Sequence, residues 1–302
     1  MRLFTSQDRC HPLRLIRRLA FGVCASASLT QAAWAQSDQA DAAPPVPERV
    51  VSINLCTDQL AMLLARPGRL LSVSDLAADP DSSVLHAEAD AYPANHARAE
   101  EIFLMQPDLV LAGTFSSHAT VNLLKRLGFR VETFQPAYSF DDIRSTLRRM
   151  GRVLGRQALA DTLLSRFEAR LKAVATAQDD RPRAMVHASN NYTSGANTLV
   201  HDVLTAAGLR NVGAERGYRG TTSMPLEVMV MAQPDLIITG TSYDKPALAQ
   251  EDFDHPALAA YRRVHRTRVG DKYWVCGAPF TVRAVEMLAA VRAQLARTGE
   301  SS

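Results

Sequence analysis

Glu100-Glu-Ile-Phe-Leu-Met-Gln-Pro-Asp-Leu-Val-Leu-Ala-Gly113 returns 127 residues later as Glu227-Val-Met-Val-Met-Ala-Gln-Pro-Asp-Leu-Ile-Ile-Thr-Gly240. The leading acid and the Gln-Pro-Asp-Leu share that one offset, so a structural unit occurs twice in the chain. Each copy predicts a short amphipathic helix that stops before Pro107 or Pro234, because the residue preceding a proline is pushed out of helical geometry. A continuous apolar run follows, Leu109 to Ala112 or Leu236 to Thr239, as expected of a parallel strand covered on both faces. Two copies are too few for a solenoid. The expected fold class is α/β, with two Rossmann-like lobes of mainly parallel sheets joined by one long bridging helix and a ligand cleft between them.

Working outward, residues 1–35 carry Arg14, Arg17 and Arg18, then the apolar run Leu19 to Leu29, then Ala33-Trp34-Ala35. That is the pattern of a secretory signal peptide cleaved after Ala35, too short and too interrupted to span a bilayer. Arg17-Arg18 leaves both general and twin-arginine export open. The expected location is the periplasm. Loss of five arginines and one aspartate takes the formal charge from +3 to −1. A near-neutral mature chain has no electrostatic footprint for nucleic acid and no like-charge block for a membrane surface. Of four cysteines, Cys10 and Cys24 leave with the signal. Cys56 and Cys276 remain, an even pair for which an oxidising compartment permits a disulfide.

Residues 36–47 are rich in Ala, Asp and Pro and form an unpatterned lead-in. The first lobe is expected over 48–139, with a strand at Val50 to Ile53, a helix from Gln59 to Ala65 capped by Thr57 or Asp58, and a strand at Leu70 to Val73. Asp75 to Ala99 is a long polar stretch and a candidate binding loop. Connecting helices are expected over 140–178. Apolar residues there fall at helical spacing, Gly155 divides a short helix from a long one, and the second is a rod of about 33 Å at 1.5 Å per residue. The second lobe, 179–302, restarts with a strand at Arg183 to His187, followed by a helix from Thr198 to Ala207. It ends with a strand-like Tyr273 to Cys276 and a terminal helix from Pro279.

Nucleophile-elbow, zincin, Walker and dinucleotide-binding motifs are absent, which counts against catalysis. The histidines never form a ligand pair at helical spacing. Open α/β sheets bind ligands beyond the carboxyl ends of their strands. That rule selects Asn54, Cys56, Phe115 and Ser116 in the first lobe, and Asn191, Tyr192, Tyr243, Trp274 and Cys276 in the second. Trp274 is the sole tryptophan of the mature chain: either it stacks on a flat ligand or it plugs the core beneath the terminal helix. Glu100 and Glu227 have two readings as well. Each alone would favour its helix dipole by about 0.3–1 kcal/mol, whereas their matched positions suit a symmetric partner bearing two basic patches.

Arg49-Val-Val-Ser-Ile-Asn, Glu100-x₆-Pro-Asp-Leu-Val-Leu, the helical bridge, Thr198-Leu-Val-His-Asp-Val-Leu with Ala207-Gly208, and Leu226-Glu227-x₆-Pro-Asp occur here in one order. From about Pro47 to its end the chain resembles the bacterial periplasmic binding proteins that deliver vitamin B12, ferric siderophores and haem to ABC importers. The resemblance implies a monomer with no enzymatic activity and no cofactor of its own. Its ligand would be an iron chelate, haem or corrinoid held in the cleft. It also implies that Glu100 and Glu227 dock onto arginines of a permease dimer. The vitamin B12-binding members are richer in cleft tryptophans than this chain. Cys56 and Cys276 would then meet near the cleft, as a disulfide or as soft ligands for a metal chelate. Two alternatives remain: a secreted metal-dependent enzyme using Cys56, His118 and Cys276, and a periplasmic scaffolding domain without a ligand-sized cleft.

Overall fold

In the computed structural model, residues 45–175, 181–241 and 264–299 are described. The first half opens with β1 (Val50–Ser52), α1 (Leu55–Leu64) and β2 (Leu70–Ser74). A 3₁₀ turn, α2 (His86–Ala89) and β3 (Ala94–Asn95) follow. Next come α3 (Ala99–Met105), β4 (Leu109–Gly113), α4 (His118–Arg126) and β5 (Val131–Phe134). The strands form a parallel sheet in the order β3-β2-β1-β4-β5. The polar stretch after Asp75 is therefore not one loop, since it supplies an edge strand and a helical turn. Its two-residue strand was illegible because a sheet edge needs little apolar patterning.

Helices α5 (Phe140–Val153) and α6 (Gln157–Val174) turn about Gly155, as the sequence predicts. The 18 residues of α6 make it about 27 Å long, shorter than the predicted rod because Ala175 leaves helical geometry. The second half contains β6 (Arg183–His187), β7 (Tyr192–Ser194), α7 (Leu199–Ala206), β8 (Arg210–Asn211) and α8 (Val212–Glu215). It continues with β9 (Thr221–Ser223), α9 (Leu226–Ala232), β10 (Leu236–Thr239), β11 (His265–Arg268) and α10 (Val282–Gly299). Four of these strands make a second parallel sheet, β11-β10-β6-β8, and β7 pairs with β9 antiparallel. Tyr273 to Cys276 is not a strand. A 3₁₀ turn over Asp271–Tyr273 stands there, and the last strand is instead the polar His-Arg-Thr-Arg of β11.

Alternation along the strands sorts the apolar residues into layers. Val50, Leu70, Leu109 and Leu111 of the first sheet share one buried cluster with Ala184, Val186, Leu236 and Ile238 of the second, through α1, α5, α6, α7 and α10. Val51, Val110 and Ala112 point the other way, onto α3 and α4. Met185 and Ile237 likewise face α8 and α9. The halves thus meet through one continuous apolar middle rather than through a flexible linker. Arg144 on α5 grips Glu168 on α6, and Arg170 on α6 grips Glu286 on α10.

The duplicated Pro-Asp has a structural cause. Asp108 accepts from the backbone N–H groups of Glu48 and Arg49, and Asp235 accepts from that of Arg183. The arginines return the favour: Arg49 donates to the carbonyls of Met105 and Gln106, and Arg183 to those of Ala232 and Gln233. These are the orphan carbonyls at the ends of α3 and α9. Gln106 and Gln233 hold the left-handed conformation, both at φ 45, which ends each helix one residue before its proline. Each repeat is thereby clamped to the first strand of its own sheet.

Candidate functional site

In the first sheet the chain leaves β1 toward β2 but leaves β4 toward β5, so the winding reverses between β1 and β4. Crevices form at such reversals, beyond the carboxyl ends of the strands. A hollow lies there, lined by Asn54, Cys56, Thr57, Gly113, Thr114 and Phe115, with Phe134 at the end of β5, Gln135 and Pro136 after it, Thr146 of α5, and Cys276 from the second half. Its empty space, open solvent included, is about 390 Å³. The second sheet reverses in the same way between β6 and β10.

Cys56 and Cys276 are joined in a disulfide, their Cα atoms 4.9 Å apart across a sequence separation of 220. Both line the hollow, so a covalent bond between the halves forms part of its wall. This resolves the pair as a cystine and corrects the expectation of soft metal ligands: sulfurs spent on each other offer no thiolate. The metal-enzyme alternative falls with it, and His118, in the first turn of α4, lies on the exposed surface. A second tie is polar, with Lys272 Nζ donating to the carbonyl of Pro80 at 2.8 Å.

Other predicted site residues turn out to shape the hollow. Asn54 is the N-cap of α1, its Oδ1 accepting from Cys56 N at 3.1 Å. The helix therefore starts one turn before the predicted Gln59, and Thr57 and Asp58 are buried inside it. A Cβ at Gly113 would come within 2.7 Å of the Asn54 amide, so that amide and β4 require a glycine between them. Ser116 Oγ accepts from Gly113 N and folds the turn after β4. Phe115 is left 81% exposed at the rim.

In the second half, Asn191 Oδ1 is 3.0 Å from His187 Nε2, and Tyr192 is exposed. Tyr243 lies outside the described residues. Trp274 is a correction: it is buried with Phe280 in the shared middle core. Its indole is a plug beneath α10, the core alternative, and offers no open stacking face. His187 escaped the sequence-based selection because it ends a buried strand, where a histidine looks like any core residue. Its place at the β6/β10 reversal becomes visible only with the sheet order. Thr114 could not be singled out either, yet it lines the hollow and its Oγ1 has no hydrogen-bond partner.

Behind the hollow, Asp58 is buried against β2, where Ser74 Oγ donates to its Oδ2. Burial pushes its carboxyl up from 3.8 to about 6, against the hydroxyls of Ser52 and Ser74, which pull it down. A raised native value means the folded state holds this proton more tightly than the unfolded chain. The resulting stabilisation is complete below about pH 4 and is lost as pH rises through about 6. Asp58→Asn should erase that dependence. In urea unfolding at pH 4.5 and 7.5, wild type is expected to lose about 2 kcal/mol more than the variant, from ~1.4 kcal/mol per unit of displacement with the full effect reached only below about pH 4. Parallel losses would mean the carboxyl titrates normally.

The profile of the periplasmic binding protein family matches residues 50–269. The chain belongs to this family. Its members are substrate-binding proteins rather than enzymes. Among relatives, a cobalamin-binding protein of Halobacterium salinarum is 30% identical over 206 residues, 66% of this chain and 55% of that protein. The chain thus spans about half the length of the curated relatives it matches. Among solved structures, the periplasmic haem-binding protein RhuT of Roseiflexus superposes with a TM-score of 0.69 at 22% identity, covering 82% of this chain and 99% of that one. The vitamin B12-binding protein BtuF of Vibrio cholerae does so at 0.61 and 18%, covering 83% and 98%. At such identities the structures speak for the fold, two lobes braced by a long helix.

Proposed function

We propose that this chain captures a metal chelate, a ferric siderophore, haem or cobalamin, between its lobes and delivers it to an ABC transporter permease dimer. The observation that carries this reading is the hollow at the β1/β4 reversal, walled by side chains of the first half and closed by Cys276 from the second. Its lining is mostly apolar, with Leu60, Phe115, Phe134, Pro136 and the cystine, and a few polar groups such as Thr114. That mixture suits a bulky ring system carrying a small number of hydrogen-bonding groups. Phe115, which lines the hollow and is 81% exposed, offers an aromatic face to stack on it, and Tyr192 of the second half is taken as its counterpart.

On this reading, residues 48–139 and 179–302 are the lobes and 140–178 the connection, with the mature monomer released into the periplasm by cleavage after Ala35. The shared core and the disulfide limit closure to a small rocking motion, as suits a carrier that must also let go. Glu100 and Glu227 are exposed in the first turns of α3 and α9, outside the sheets, and serve as the permease-docking acids. Uptake tests the whole: cells lacking the protein should lose import of one chelate from a panel of ferric hydroxamates, ferric catecholates, haem and cobalamin, and regain it with the wild-type gene. Unchanged import of every member would remove the proposal.

A further inference from the structure

Each half carries one strongly exposed apolar side chain on its repeat helix. Leu104 is 80% exposed and Met231 is 63% exposed. They occupy equivalent places, 127 residues apart, each four residues after the acid of its own copy, Glu100 or Glu227. Residues four apart on a helix lie one above the other, so acid and apolar group share a face. The opposite faces of α3 and α9 are spent on the cores through Ala99 and Ile102, and through Met229 and Ala232. A single exposed leucine needs no explanation. Recurrence at one register beside one charge does, because the rest of the two helices has diverged: Glu101 answers to Val228, and Phe103 to Val230. Phe103 itself packs edge-on against Phe129, which leaves Leu104 as the side chain aimed at solvent without an aromatic partner.

We propose that Leu104 and Met231 are paired apolar anchors of the docking face, each entering a socket beside a cation on one of two like subunits of a membrane permease. The inference rests on the delivery reading above and adds the part of the contact that charge does not supply. Charges set encounter rate and register and are screened by salt. An apolar anchor seated in a pocket next to them sets how long the complex lasts. Repetition in both halves points to a partner with two-fold likeness rather than to an unrelated surface.

The test uses the mature protein and the permease whose deletion abolishes chelate uptake, reconstituted in nanodiscs. Leu104→Ser and Met231→Ser should each speed dissociation about ten-fold or more, and together about a hundred-fold. Association rate, its salt dependence and chelate affinity should stay as in wild type, as should the melting temperature, since neither side chain supports a core. Dissociation within two-fold of wild type in the double variant would overturn the anchors. If Glu100→Arg with Glu227→Arg still abolished binding in that case, the docking acids would stand without them. If the charge reversals also had no effect, the delivery reading itself would fail. A concentration-dependent dimer of this chain in sedimentation, lost in the serine variants, would instead assign the face to a second copy and overturn the permease partner.

Discussion

Removing the Cys56–Cys276 bond is expected to lower the melting temperature by about 10–20 °C, the largest effect of any conservative change in this chain. The bond closes a span of 220 residues, for which the chain-entropy relation gives about 5 kcal/mol at 25 °C, against about 2–5 kcal/mol for loss of native disulfides in general. For a protein of this size each kcal/mol moves the midpoint by about 2–4 °C. The loss would not stay confined to stability. The cystine is part of the hollow's wall and ties α1 to the segment before α10. Gly277 beside it packs so closely that a Cβ there would sit 2.3 Å from Ala137. Freed, this corner gains room to drift, and chelate affinity should fall with it. Scanning calorimetry of wild type and of Cys56→Ser with Cys276→Ser measures the first effect, and titration of the same two proteins the second. Two thiols that titrate in the native, unreduced protein, together with an unshifted midpoint, would show that no such staple forms.

Charge reversal at both docking acids, Glu100→Arg with Glu227→Arg, is expected to abolish chelate import while chelate affinity stays within about two-fold. Neither carboxylate supports the fold beyond its favourable place at a helix start, worth about 0.3–1 kcal/mol each, so the variant remains folded. Against cations on a partner the same change replaces attraction by repulsion. Like charges forced together at an interface cost several kcal/mol each, enough to remove a complex of ordinary strength. Raising the salt should weaken permease association of wild type in the same direction. Loss of chelate affinity in the variant would move the acids from the outer faces of α3 and α9 into the cleft. Undiminished import would end their role in docking.

How far such expectations can be formed without coordinates depends on whether the signal is local. The repeat was legible because helix, Pro-Asp and buried strand are fixed by neighbours in sequence, and the break at Gly155 by the same token. The clamp that explains Pro-Asp was not. Arg49 and Arg183 stand 134 residues apart rather than 127, so they fall out of register with the units they hold. Asn54 read as a residue past a strand end and therefore as ligand-facing, yet the same position starts a helix, and there the cap takes its carbonyl oxygen. Asp58 read as one of two possible helix caps; only packing against β2 shows it buried inside the helix. The cystine depends on a contact 220 residues distant, which no local pattern encodes. The second sheet's edge, β11, escaped because an exposed edge strand carries charges where a central one carries valines.

The account turns on one chelate being held between the halves, and isothermal titration of the mature wild-type protein tests that most directly. Titrated in turn with ferric hydroxamates, ferric catecholates, haem and cobalamin, it should bind one class with a stoichiometry of one per chain, and replacing Phe115 by alanine should weaken that binding. Absence of heat with every member of the panel, from a protein shown to be folded by its melting transition, would contradict it.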